Sequence, residues 1–226
     1  MPALRADITA IRILATVFAA GILCALCGAT TAAADVGASG GAGFVQQPLA
    51  APKGAFAGRQ TTVNGHIDDY TGSVSITARR GGKGDFLPVG TARADAQGDF
   101  TFAWKPGKAG RYSLRLTPTG SAATSVAPAS ASLSVYRRQK ATWYGPGFYG
   151  SRTACGQKLT KRTLGVAHKT LPCGTKVEFF LRGKRITVPV IDRGPYANAA
   201  VWDLTLTAMR RLGSSSTEFV GALPLS

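Results

Sequence analysis

Apolar residues are spaced in three distinct ways along this 226-residue chain. Near the start they form one unbroken run, Ile13 to Leu26, with Arg5 and Arg12 ahead of it and small residues from Ala29 to Ala34 behind it. Basic, apolar, then small is the order of a secretory signal peptide, so residues 1–34 are expected to be removed on export. The run is too short to cross a bilayer comfortably and no second one follows, so no stable membrane span is expected. Residues 35–57 are rich in Gly, Ala and Pro without apolar periodicity, which predicts a flexible linker.

From Gly58 to Tyr136 the spacing changes to alternation, the period of a half-buried strand. Val74, Ile76 and Ala78 alternate with Ser and Thr; Phe100, Phe102 and Trp104 form a second set, and Tyr112, Leu114 and Leu116 a third. Turn-forming stretches at 81–85, 95–98 and 106–110 separate them. Short strands at such intervals predict an immunoglobulin-like β-sandwich over 58–136. His66, Asp68 and Asp69 read as a polar turn before a strand rather than as a site. Residues 137–140, Arg-Arg-Gln-Lys, are expected to form a polar joint.

The remainder, 141–226, again reads mainly as strand. Trp143 and Tyr144 open it, and 175–181 and 185–191 flank the turn Arg182-Gly183-Lys184 as a hairpin. One helix is expected from Leu204 to Leu212, with Asp203 capping its start, Arg210 and Arg211 in its last turn and Gly213 as its stop. A last strand is expected from Glu218 to Leu223. The fold class is therefore all-β.

Cysteine usage adds a covalent constraint. Cys24 and Cys27 fall in the expected signal peptide, and Leu23 and Leu26 stand where a lipid-anchor signal needs a small residue. Cys155 and Cys173 remain as an even pair in an exported chain, so a disulfide is the default. It closes a loop of about 18 residues and contributes roughly 3 kcal/mol on the chain-entropy account. The mature chain has no C-x-x-C spacing and one His near these cysteines, so neither a metal nor a cofactor is expected.

Charge is strongly positive: 27 Lys and Arg against 11 Asp and Glu give a formal +16. From Arg137 onward, 15 basic residues face only Glu178, Asp192, Asp203 and Glu218. Such a surface either keeps the protein soluble or attracts polyanions. With export expected, anionic cell-wall polymers or lipid headgroups fit better than nucleic acid.

The candidate chemistry centres on Asp192, which follows the apolar stretch Thr187 to Ile191 and precedes Arg193-Gly194-Pro195. A carboxylate at a strand end beside a turn either organises backbone N–H groups or serves as a tuned acid. Around it, W-Y-G-P-G-F-Y-G (Trp143–Gly150), R-T-A-C-G-Q (Arg152–Gln157), A-H-K-T-L-P-C-G-T (Ala167–Thr175), I-D-R-G-P-Y (Ile191–Tyr196) and W-D-L-T (Trp202–Thr205) occur in order. Over about the last 85 residues this set resembles the double-psi β-barrel of the rare lipoprotein A family of septal lytic transglycosylases, related to expansins and barwin.

That resemblance implies a six-stranded barrel over 141–226 with a glycan-binding groove, Asp192 as catalytic acid and His168 as its active-site partner. Gln157 stands where the family carries Glu, and it retains hydrogen-bonding capacity towards a glycan. The two cysteines, also unlike the family's usual residues, are expected to clasp two loops beside the groove. Trp143, Tyr144 and Tyr149 either stack on sugar rings or fill the end of the barrel. Asp203 either caps the helix or joins Asp192 as a second carboxylate.

A transglycosylase needs one acid and base, because the substrate's own C6 hydroxyl attacks the anomeric carbon; direct hydrolysis normally needs two carboxyl groups. Peptidoglycan cleavage with 1,6-anhydro-muramyl ends is the expected activity. The alternatives are expansin-like glycan binding without cleavage, and recruitment of a division or wall-synthesis protein by the sandwich.

Overall fold

The structure, a computed structural model, describes residues 49–120 and 129–225. The expected signal peptide, with Cys24 and Cys27, and the first part of the expected linker lie outside the described residues. Residues 49–57 do not behave as a linker. Leu49 is buried, Ala50 bridges Asn64, and β1 (Ala55–Phe56) pairs in parallel with residues 135–136. The aromatic ring of Phe56 and the buried methyl of Ala55 anchor a stretch whose composition otherwise reads as loop.

Two cores follow one another along the chain. Around the first lie β2 (Thr61–His66), β3 (Gly72–Arg80), β4 (Leu87–Ala94), β5 (Asp99–Trp104) and β6 (Gly110–Pro118), with the beginning of β7 (Ala129–Tyr144). β4-β3-β6-β7 form an antiparallel sheet, and β2-β5 form a separate ribbon. The alternating sets do what their period requires: Val74 and Ile76, Phe100 and Phe102, and Leu114 and Leu116 all point into one core, while their neighbours face outward.

β7 continues without interruption into the second lobe. The four polar residues expected to form a joint, 137–140, are therefore strand, and their polarity has a different cause. The strand changes cores there, from Leu133 and Val135 on one side to Ala141 on the other. At the crossing, Arg138 lies over the Phe219 ring at 4.1 Å, and Gln139 accepts a bond from Trp202 Nε1 at 2.9 Å. Lys140 donates to the Asn198 carbonyl at 2.9 Å.

The second lobe is a closed barrel of six strands. β8 (Val166–Ala167), β9 (Lys176–Leu181), β10 (Lys184–Asp192), β11 (Trp202–Thr205) and β12 (Glu218–Pro224) join β7 in the order β11-β8-β10-β9-β12-β7, and β7 pairs back onto β11. The pairs β10–β8 and β11–β7 are parallel; the others are antiparallel. Phe179 and Trp202 meet edge to face at 5.3 Å in the core, each contributing about 2–3 kcal/mol by burial.

The hairpin turn is shorter than expected. Only Arg182 and Gly183 separate β9 from β10, both with positive φ (48° and 82°), the backbone that matches the twist of two-residue hairpins. The helix is also shorter, α1 (Leu206–Leu212), because Leu204 and Thr205 belong to β11. Thr205 caps it by accepting the Ala208 N–H, so the capping role expected for Asp203 is incorrect. Gly213, at φ 97°, ends it as expected.

Candidate active site

A bulge aims Asp192. On β10, Val188 and Val190 are buried, and strict alternation would turn residue 192 into the same core. Opposite β8, however, the register passes from Val190–Val166 to Asp192–Ala167, leaving Ile191 as an extra residue. Ile191 takes the next buried place, and Asp192 emerges half-buried where β10 ends. The N–H groups of Ala154 and Arg193 donate to its Oδ1 at 2.8 and 2.9 Å, and the His168 N–H donates to its carbonyl at 3.1 Å.

Asp203 arrives on the other side of the same short strand. Ala167 is the register partner of both Asp192 on β10 and Asp203 on β11, so the two acids flank one small residue with backbones about 10 Å apart, two strand spacings. The Thr142 hydroxyl donates to Asp203 Oδ1 at 2.7 Å. Burial raises the pKa of Asp203; the Thr142 bond opposes this and the charge of Asp192 adds to it.

Tyr144 faces both carboxylates. Its hydroxyl is buried without a well-formed hydrogen bond among the described residues. Burial, followed by the charges of Asp192 and Asp203, pushes this phenol well above its ordinary value, so it remains a proton donor across the physiological range. With Trp143, Phe148, Ala167 and Tyr196, these groups line a cleft of about 370 Å³. Phe148 and Tyr196 are exposed at its edges, 59 % and 79 % respectively, and Phe148 meets Tyr144 edge to face at 6.4 Å.

The remaining expected site residues lie outside that cleft lining. The imidazole Nδ1 of His168 accepts the N–H groups of Thr170 (3.2 Å) and Leu171 (3.0 Å), which places the proton of the neutral ring on Nε2. Its ring packs on Trp202 at 4.5 Å. Burial lowers its pKa, and Arg193 and Lys169 lower it further. Gln157 is exposed, and its backbone carbonyl accepts the Thr153 N–H. Tyr149 covers Gly145, where a Cβ would meet its hydroxyl at 2.7 Å.

The disulfide Cys155–Cys173 joins the loop that supplies Ala154 to the loop leading into β9. Cys155 N–H donates to the Ile191 carbonyl and Gly174 N–H to Val190, so the clasp sits directly against the bulged end of β10. Among the described residues no three His, Cys, Asp or Glu side chains converge as metal ligands.

Sequence reasoning did not single out Phe148 and Tyr196. Both belong to recognised motifs, yet which aromatic of F-Y-G faces the cleft depends on the turn through Pro146 and Gly147. The sequence carries no simple period there.

The class defined by this architecture is a closed six-stranded β-barrel with two acids and an aromatic rim where strands meet. Residues 136–221 match the family model described as Lytic transglycolase. The matching stretch is 43 % identical over 79 residues to the probable endolytic peptidoglycan transglycosylase RlpA of Synechocystis sp., covering 34 % of this chain and 25 % of that protein. It is 42 % identical over 74 residues to the endolytic peptidoglycan transglycosylase RlpA of Campylobacter jejuni, covering 32 % of this chain and 27 % of that protein. Among solved structures, the Streptomyces papain inhibitor aligns with a TM-score of 0.32 at 26 % identity, over 38 % of this chain and 88 % of its own. The C-terminal lobe is an RlpA-like double-psi β-barrel. The chain spans about a quarter of the length of the two RlpA relatives.

Proposed function

We propose that this chain is an exported cell-wall protein whose barrel acts as a peptidoglycan lytic transglycosylase, leaving 1,6-anhydro-muramyl ends. The observation that carries this reading is Asp192, turned out by the bulge and held at Oδ1 by two backbone N–H groups beside a second acid. The names of the RlpA relatives support peptidoglycan as substrate, and cell-wall action supports an extracytoplasmic location.

In the proposed reaction the outer oxygen of Asp192 delivers a proton to the glycosidic oxygen as the C1–O bond breaks. The C6 hydroxyl of the same sugar closes on C1, and Asp192 takes up the hydroxyl proton, so the enzyme returns to its starting state without consuming water. Asp203, kept neutral to higher pH by burial, limits the charge in the cleft while Asp192 cycles. Tyr144 stabilises the carboxylate formed in the first half of the cycle. His168 positions Asp192 through its backbone N–H and the loop that its ring holds. Trp143, Phe148 and Tyr196 offer flat faces to sugar rings, the last two from the exposed rim.

The first lobe is read as an immunoglobulin-like sandwich that carries a binding role, for the wall itself or for a division or wall-synthesis protein. Digestion of purified peptidoglycan should yield anhydro products by mass spectrometry, and Asp192→Asn should lower their yield by at least about a hundredfold. An undiminished yield from Asp192→Asn would remove Asp192 from the reaction.

One observation favours a second reading, glycan binding without cleavage: the position where the family carries Glu holds Gln157, which lies exposed outside the cleft lining. On that reading wall pull-down persists while neither anhydro nor reducing ends form.

A further inference from the structure

A second groove lies where the two lobes meet. It has a volume of about 1110 Å³ and, among the described residues, shares no lining residue with the cleft around Asp192. Three separate parts of the chain bring cations to it: Lys53 ahead of β1, Arg80 and Lys83 at the end of β3 and in the turn beyond, and Arg185 on β10. All four are exposed, and none has a carboxylate partner among the described residues. The fifth cation of the lining, Arg111, is bound to Glu178 at 3.0 Å. Among the described residues Glu178 is the one acid of the lining, and it also accepts the Tyr136 hydroxyl, so its charge is already matched. Ser113 and Ser132, register partners on β6 and β7, also line the groove.

We infer that this junction groove binds an extended polyanion, a cell-surface polymer with phosphodiester charges repeated along its backbone. Four unmatched positive charges around one concave surface reinforce one another and draw anions in from solution. Their distribution sets the shape of the occupant. Because the cations come from separate parts of both lobes, a linear polymer lying along the groove would meet them in turn. Phosphodiester groups suit the lining because each keeps a full charge and two acceptor oxygens, which match the guanidinium forks of Arg80 and Arg185 and the serine hydroxyls. The planar surface of a bilayer does not enter a concave junction. Fixed geometry keeps the two halves of the site in register: β7 runs unbroken through both lobes, and Tyr136 stacks on Phe180 at 5.0 Å beside the groove.

The test uses the full chain with fluorescently labelled poly(glycerol phosphate), read by anisotropy at low ionic strength. The variant K53E/R80E/K83E/R185E should bind about tenfold or more weakly, and the wild-type affinity should fall steeply with added salt. A charge-matched control at exposed positions elsewhere, K158E/K161E/R162E/R211E, should stay within about twofold of wild type. The milder pair R80Q/R185Q, with unchanged melting temperature, should still weaken binding about threefold. Equal losses in the groove variant and the control would assign the attraction to net charge and overturn the site. Tighter binding to phosphatidylglycerol vesicles or to polygalacturonate would overturn the phosphodiester assignment. Asp192→Asn should bind the polymer as wild type does, which separates this result from the outcome for glycan cleavage.

Discussion

At Asp192 a single inserted residue decides between burial in the core and a place at the cleft. The bulge at Ile191 turns the carboxylate out of the core, and Ala167 is the small residue that stands between it and Asp203 in the sheet. Because Asp203 keeps its proton to a higher pH than an ordinary Asp, Asp203→Asn should leave turnover reduced by about tenfold yet measurable, and should remove one limb of the kcat/KM pH profile. An unchanged profile would make Asp203 a bystander. Tyr196→Ala should raise KM about two- to tenfold with little change in kcat, as expected for a rim aromatic that binds substrate and transition state alike. His168 has a lowered pKa, so its contribution to stability is complete above the ordinary histidine value and declines as pH falls towards its folded pKa. Protonating Nδ1 would displace the N–H groups of Thr170 and Leu171. An NMR titration should find His168 below pH 6.5 with the Nε2–H tautomer, and a normal or raised value would contradict this placement. The place of Asp192 at the end of β10 was legible from sequence, since the stretch before it is apolar and the turn after it is marked by Gly and Pro. The bulge was not, because Val190 and Ile191 are both apolar and either could have been the inward residue.

Among the elements, the disulfide, β7 and α1 show how local sequence meets tertiary demand. The pairing of Cys155 with Cys173 followed from cysteine count, and the structure adds that it secures the loop presenting Ala154 to Asp192. Cys155→Ser/Cys173→Ser should cost about 2–4 kcal/mol by chemical denaturation and lower kcat more than it raises KM, because the carboxylate loses a fixed donor. A lowered melting temperature with intact kcat would restrict the bridge to stability. The alternating strands of the first lobe were legible because one face of each meets a core and the other meets solvent. β7 defeats that logic: it serves two cores in succession, so its polar middle looks like a break between domains. The start of α1 was misread for a related reason. Asp203 is a good cap by residue type, but Trp202 and Leu204 are needed in the barrel core, and the helix begins only after Thr205.

Across the whole molecule, the two lobes are joined by more than a shared strand. Tyr136, Phe180 and Leu223 form a small core at the junction, beside the buried Glu178 with its bonds to Tyr136 and Arg111. Burial alone would raise the Glu178 pKa; the bonds from Tyr136 and Arg111 outweigh it and hold the value below normal. The resulting stability is present above the ordinary Glu range and is lost as pH falls through the lowered pKa. Replacing Glu178 with Gln should therefore lower stability by about 1–3 kcal/mol at neutral pH and much less in acid; an equal loss at both would contradict the ion-pair account. Sequence periodicity does not reveal this junction, because its members are far apart in the chain and each reads as an ordinary strand residue. The central claim, intramolecular ring closure directed by Asp192, is tested most directly by digesting peptidoglycan in ¹⁸O-labelled water. The account predicts unlabelled 1,6-anhydro ends from the wild type and none from Asp192→Asn, whereas labelled reducing ends would show hydrolysis and contradict it.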